Sequence, residues 1–184
     1  KGQIRVKTRA ELVAAWDELQ HVSCVLEKML PLAFEVSVIV ARARSGQIVT
    51  FPVQRNLHRD GILAVTTVPA PGVNAALEAQ AVESARKIAA SLSYVGVLCV
   101  EFFVLQDGSL VANEMAPRPH NSGHHTIDAF DVSQFELQVR AMANLPLVEP
   151  VLHSPCLMVN LLGDLWFDAG SDVQREPDWA GVLA

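Results

Sequence analysis

The chain has 184 residues, of which 51% are hydrophobic and 18% charged; that excludes a disordered polymer and gives enough length for one packed domain, or one domain and part of another. The formal net charge of -6 argues against a general nucleic-acid or anionic-membrane surface, while leaving room for a local phosphate pocket. No apolar run approaches the ~20 residues of a membrane helix, no signal peptide opens the sequence, and the scattered cysteines Cys24, Cys99 and Cys156, in apolar runs without a CxxC, read as reduced, buried thiols of a cytoplasmic protein.

Taken in order, Lys1-Gly2-Gln3 runs almost at once into a strand-like Ile4 to Val6 and reads as a cut through a loop of a longer chain. Thr8-Arg9-Ala10-Glu11 is a capping box, and the helix after it has Leu12, Ala15, Trp16 and Leu19 on one face. Val22 to Glu27 is strand-like. Glu35 to Arg42 and Gln47 to Gln54 are further strands around a Ser45-Gly46 turn, and Arg55 to Gly61 reads as a polar loop. Ile62 to Val68 is a strand. Asn74 to Ser93 is an alanine-rich helix with Leu77, Ala81, Ala85 and Ile88 in register. Val97 to Leu105 and Ser109 to Glu114 are strands joined at Asp107-Gly108, and Met115 to His125 is a loop. Ser133 to Asn144 is a helix with a second capping box (Ser133, Glu136) and an apolar face of Phe135, Val139 and Met142; Val159 to Leu162 is a last strand. The mixture predicts an α+β or α/β chain with an antiparallel sheet.

The Asp107-Gly108 dipeptide predicts a two-residue type I′ turn. Pairing counted outward from that loop sets Gln106 opposite Ser109 and, further along, Glu101 opposite Glu114, with Cβ atoms ~4.5–5.5 Å apart on one face. Two carboxylates so placed repel, and Glu101 lies inside the apolar run Val97 to Val104, where a charge is costly to bury. Three arrangements resolve the conflict: a shared proton, a hard divalent cation with oxygen ligands, or a register shift that exposes one of the pair. Strict alternation sends the neighbouring Asn113 to the other face unless the strand bends.

The loop that follows contains Arg118, which can grip an oxyanion with two parallel hydrogen bonds. Asn121, Ser122 and the amides near Gly123 could form an anion nest. A solvated surface turn is the alternative. His124-His125 is a poor zinc pair, because adjacent side chains diverge and no cysteine accompanies them.

Several long segments together, NEMAPRPHNSGHH followed by SQFELQVRA, EVSVIVAR (Glu35 to Arg42) and FPVQRNLHRDGIL (Phe51 to Leu63), closely resemble the N5-carboxyaminoimidazole ribonucleotide synthetases, a family of ATP-grasp ligases. The resemblance spans nearly all of Lys1 to Phe167. It implies an incomplete ATP-grasp fold: residues 1–29 the end of the lid subdomain, 30–146 the large lobe, and 147–184 the start of a C-terminal β region, with an N-terminal domain missing. It implies ATP and magnesium, bicarbonate and 5-aminoimidazole ribonucleotide as substrates, carboxyphosphate as intermediate, and a cytoplasmic homodimer in the full-length enzyme. It further implies that this stretch alone does not turn over. Carried over by position, Lys1, Gly2 and Gln3 end a glycine-rich phosphate loop, and Glu27, Lys28, Met29 and Leu30 hold adenine. Glu35 meets the ribose and His58 the nucleotide. Asn113 and Glu114 form a nucleotide–metal dipeptide, Glu101 is the second metal ligand, and Arg118, His120 and Asn121 bind bicarbonate or carboxyphosphate.

Overall fold

The computed structural model describes residues 2–168 and 170–183. The chain forms two compact units, Lys1–Pro31 and Leu32–Ala184. Helix α1 (Arg9–Glu18) belongs to the first. Thr8 Oγ1 caps it by accepting from the Glu11 amide (3.2 Å), while Glu11 reaches back to the Lys7 amide (2.7 Å). The strands expected at Ile4 to Val6 and Val22 to Glu27 are absent. Neither segment pairs in a ladder, and without a partner β-propensity alone does not make a strand. Val25 and Leu26 are correspondingly exposed, and so is Cys24, against the expectation of three buried thiols.

The second unit is built on a seven-stranded sheet. Its strands are β1 (Leu32–Arg42), β2 (Ile48–Thr50), β3 (Gln54–Arg59), β4 (Ile62–Val68), β5 (Gly96–Leu105), β6 (Leu110–Ala116) and β7 (Cys156–Val159). The order is β6-β5-β1-β3-β4-β7, with β2 also pairing with β1, and every pairing is antiparallel. That makes the unit α+β. β7 lies earlier than the expected Val159 to Leu162.

One sheet face carries Val36, Val38, Val40, Leu98, Val100 and Phe102, packed on Ala81, Ala85 and Ala89 of helix α2 (Ala75–Ser91), which Asn74 caps. The alanine spacing is what lets the helix lie close to the β-branched surface. The other face carries Ile39, Ala41, Val97 and Cys99 beneath Ala129 of α3 (Thr126–Ala129) and Leu137 and Ala141 of α4 (Gln134–Met142). The apolar face expected for α4 is the wrong one. Phe135, Val139 and Met142 are 39%, 62% and 66% exposed, and Gln134, Leu137 and Ala141 are buried instead. Gln134 can face inward because its amide bonds to both the amide (2.9 Å) and the carbonyl (2.7 Å) of His120, so a polar residue serves as core.

Two hairpins differ from expectation, both at Asp-Gly. Arg55 to Gly61 is no loop: its first five residues lie in β3, which turns into β4 through Asp60-Gly61, both at positive φ (51° and 73°) with Arg59 paired to Ile62. This is the two-residue turn that Asp-Gly favours. At Asp107-Gly108 only Gly108 has positive φ (83°), and Leu105 pairs with Ser109 through a three-residue loop.

Candidate active site

Along one face of β1 the residues change character. Ala41 and Ile39 lie in the apolar cluster beneath α4, and the next two on that face are Ser37 and Glu35. Neighbouring strands change at the same level. Glu101 of β5 and Gln54 of β3 stand opposite Ser37, Asn56 stands opposite Glu35, and Thr66 of β4 opposite Asn56. Half of this face is therefore core and half is a polar floor.

Glu101 is opposite Glu114, as the sequence suggests, but by a different route. The three-residue loop shifts the hairpin by one, so that Phe102 faces Ala112. A β-bulge between Glu101 and Phe102 shifts it back, and Asn113 is the inserted residue. Alternation carries Asn113 from the face of Ala112 to that of Glu101, and the bulge keeps Glu114 there as well. The bend needed to bring Asn113 to the pair is this bulge.

The electrostatics follow from the crowding. Glu101 is 7% exposed, and burial, followed by the charge of Glu114, raises its pKa above the ordinary carboxyl range. His58 Nδ1 lies 2.5 Å from Glu35 Oε2; that close contact with the carboxylate raises the His58 pKa against the opposing effect of burial, with Glu101 and Glu114 adding to the rise. His120 Nε2 lies 3.2 Å from Glu101 Oε1. Burial, then the positive charge of Arg118, lowers His120 to about 4, so its ring is neutral at pH 7. Cys99 Sγ approaches the same carboxylate, with the donor atoms of Cys99, Glu101 and His120 within 4.8 Å of one another. Burial pushes the Cys99 thiol up to about 12, so it remains protonated and a hard cation would meet the oxygen pair of Glu101 and Glu114 rather than a thiolate.

The structure thus gathers Glu35, His58, Glu101, Glu114 and His120 on one floor. Arg118 is exposed, its Nη1 donating to the Pro119 carbonyl (3.0 Å), and its charge is felt at both Glu101 and His120. Asn121 is half-buried and opens a 3-10 turn, Asn121–Gly123. Gly2, Gln3, Glu27, Lys28, Met29 and Leu30 belong to the first unit, where Glu27 to Met29 are exposed; Lys1 lies outside the described residues. Sequence reasoning missed Ser37, Gln54, Asn56 and Thr66. The period-two spacing of Gln54, Asn56 and His58 just before an Asp-Gly turn was the available signal.

An antiparallel sheet with helices on both faces and a carboxylate pair at one edge defines a floor that can hold a hard cation and an anionic ligand. The ATP-grasp domain family matches residues 1–135, and the chain belongs to that family. Within it, the chain is 48% identical over 183 residues to the N5-carboxyaminoimidazole ribonucleotide synthase of Brucella melitensis, an alignment covering 96% of this chain and 47% of that protein. Among solved structures, an ADP complex of N5-carboxyaminoimidazole ribonucleotide synthetase superposes with a TM-score of 0.85 at 44% identity, covering 90% of this chain and 44% of that one. The Aspergillus clavatus synthase in complex with ADP and 5-aminoimidazole ribonucleotide superposes at 0.81 with 32% identity, covering 87% and 43%. The chain therefore spans less than half the length of these relatives. Among the described residues no helix is long and apolar enough to cross a membrane.

Proposed function

We propose that the polar floor is the magnesium–ATP site of an enzyme that carboxylates 5-aminoimidazole ribonucleotide with bicarbonate, acting in the cytoplasm as a homodimer. The observation that carries this reading is the bulged register that holds Glu114 across from Glu101. The relatives' shared identity supports the substrate assignment.

In this reading a bicarbonate oxygen attacks the γ-phosphorus of ATP, expelling ADP and forming carboxyphosphate. The ribonucleotide's amino nitrogen then attacks the carboxyl carbon, phosphate departs, and the nitrogen loses a proton. Such transfers need positioning and charge neutralisation more than a protein nucleophile. Glu101 and Glu114 would hold magnesium, which when bound offsets the negative charge of the phosphates. Glu35 takes the ribose hydroxyls and His58 steadies Glu35. Asn113, inserted beside Glu114, contacts nucleotide. Arg118, His120 and Asn121 bind bicarbonate and then carboxyphosphate. For the first unit, the family resemblance assigns Lys1, Gly2 and Gln3 to phosphate binding and Glu27, Lys28, Met29 and Leu30 to adenine. Residues 1–29 correspond to the end of a lid, 30–146 to the large lobe and 147–184 to the start of a C-terminal β region.

The test is ATP- and bicarbonate-dependent consumption of 5-aminoimidazole ribonucleotide by the intact protein, with and without Glu114→Ala. Turnover that Glu114→Ala abolishes is expected. Turnover of a different amine or acid acceptor, with none of this pair, would overturn the substrate assignment.

A further inference from the structure

A run of buried hydrogen bonds ends at His120, whose Nε2 lies 3.2 Å from Glu101 Oε1, and its donors all point one way. Thr66 Oγ1 donates to Asn56 Oδ1 (3.1 Å), and Asn56 Nδ2 donates to Ser37 Oγ (2.8 Å). Ser37 Oγ also accepts from Gln54 Nε2 (2.9 Å). Both of its acceptor sites are then filled, so its proton goes to Ser122 Oγ, 3.3 Å away. Ser122 Oγ accepts that proton and another from Gln54 Nε2 (2.7 Å); its own proton goes to His120 Nδ1 at 2.8 Å rather than to Cys99 Sγ at 3.7 Å, because a thiol sulfur is a weak acceptor. The backbone N–H of Ser122, whose direction is fixed, also points at Nδ1 from 3.3 Å. His120 Nδ1 is thus an acceptor, and the ring proton resides on Nε2, facing Glu101 Oε1.

Ser37, Gln54 and Ser122 are fully buried, and Asn56 and Thr66 nearly so, so the directions are set by protein partners rather than solvent. Gln54 Oε1 is left buried without a donor. Reversing that amide would turn both hydroxyl protons toward it and leave a lone pair of Ser122 Oγ facing Nδ1, which would then have to carry a proton against the fixed backbone N–H.

We propose that Ser122 is a positioning residue: it holds His120 in the Nε2–H tautomer, so that His120 donates to Glu101 and orients the carboxylate presented to the cation. The second half of this statement rests on the reading of Glu101 as a cation ligand; the tautomer does not.

The experiment uses the intact protein with 15N-labelled histidine and long-range 1H–15N correlation spectra, with His120→Asn providing the assignment. The expected wild-type spectrum shows His120 with the proton on Nε2. Ser122→Ala mixes the tautomers, and it raises the magnesium concentration for half-maximal ATP binding about three- to tenfold, the worth of one ordinary hydrogen bond. Ser122→Cys, nearly isosteric and a weak donor, gives the same result where the alanine variant does not fold. A wild-type His120 carrying its proton on Nδ1 overturns the proposal, as do variants with unchanged tautomer and unchanged magnesium dependence. A wild-type protein that binds no magnesium–ATP, yet shows the Nε2–H form, removes the functional reading and the positioning role with it, leaving only the hydrogen-bond directions.

Discussion

Glu101→Gln should raise the stability of the ligand-free protein while abolishing its response to magnesium–ATP. Directly opposed residues in a sheet have Cβ atoms ~4.5–5.5 Å apart. Two unit charges at ~5 Å repel by roughly 3 kcal/mol at an effective dielectric of ~20 and by roughly 1 kcal/mol in water. Glu101 is buried but Glu114 is exposed, so the lower part of that range applies, about 1–2 kcal/mol. For a chain of this size that corresponds to roughly 2–8 °C in Tm. The substituted amide keeps an oxygen within reach of His120 Nε2, which lies 3.2 Å from Glu101 Oε1 in the wild type. The pH dependence gives a second reading. The folded-state pKa of Glu101 lies above its unfolded value, so the folded form binds the proton more tightly. Wild-type stability attributable to this group therefore rises as pH falls through the folded pKa, and the difference between wild type and variant should narrow as the pH falls. Differential scanning calorimetry across that range, with and without magnesium–ATP, measures both effects. At a hundred times Kd the ligand should stabilise wild type by ~2.7 kcal/mol. A variant that melts well below wild type, or keeps the full ligand-induced shift, would refute the reasoning.

The remaining predictions bear on other parts of the floor. Arg118→Ala and Arg118→Lys should both impair carboxylation while ATP affinity stays near normal, since lysine keeps the charge but loses the planar fork; steady-state kinetics should show a loss of about a hundred- to a thousandfold, ~2.7–4 kcal/mol. A parent-like rate for Arg118→Ala would make Arg118 a surface residue. Glu35→Gln removes the main cause of the raised His58 pKa, so an NMR titration should show His58 losing its proton at lower pH than in wild type. Gly123→Ala should destabilise by about 1–3 kcal/mol, as overpacked cores do, because a Cβ there would overlap Ile39 Cδ1 and stand 2.7 Å from Gln134 Oε1. Chemical denaturation measures the loss, and an unchanged midpoint would mean that the α4 contact is looser than described.

The sheet, α2 and the carboxylate pair were legible in the sequence because alternation, alanine spacing and caps agree with one another there. Counting outward from a two-residue turn nonetheless gives the pair through a register wrong by one near the turn. Sequence alone does not reveal that the loop at Asp107-Gly108 takes a third residue, nor that Asn113 bulges to cancel it; both are settled by packing between strands. β3 was hidden because its inward residues are Gln54 and Asn56, which look solvent-facing until Ser37, Thr66 and Ser122 are placed beside them. The exposed stripe of α4 reads as its apolar face because Phe135, Val139 and Met142 are three apolar residues at helical spacing, whereas the buried stripe includes the polar Gln134, whose amide His120 satisfies.

The division of one sheet face into an apolar half and a polar half has a geometric consequence. Beneath α4, the Leu32–Ala184 unit is a sandwich with a filling between two slices: α2, the sheet, then α3 and α4. Toward Glu35, Glu101 and Glu114 the apolar cluster beneath α3 and α4 gives way to polar side chains on the same strands. A molecule seated on that floor occupies the place a helix takes at the other end. It acts as a detachable slice of the protein's own architecture, and its arrival continues the layering that folding began.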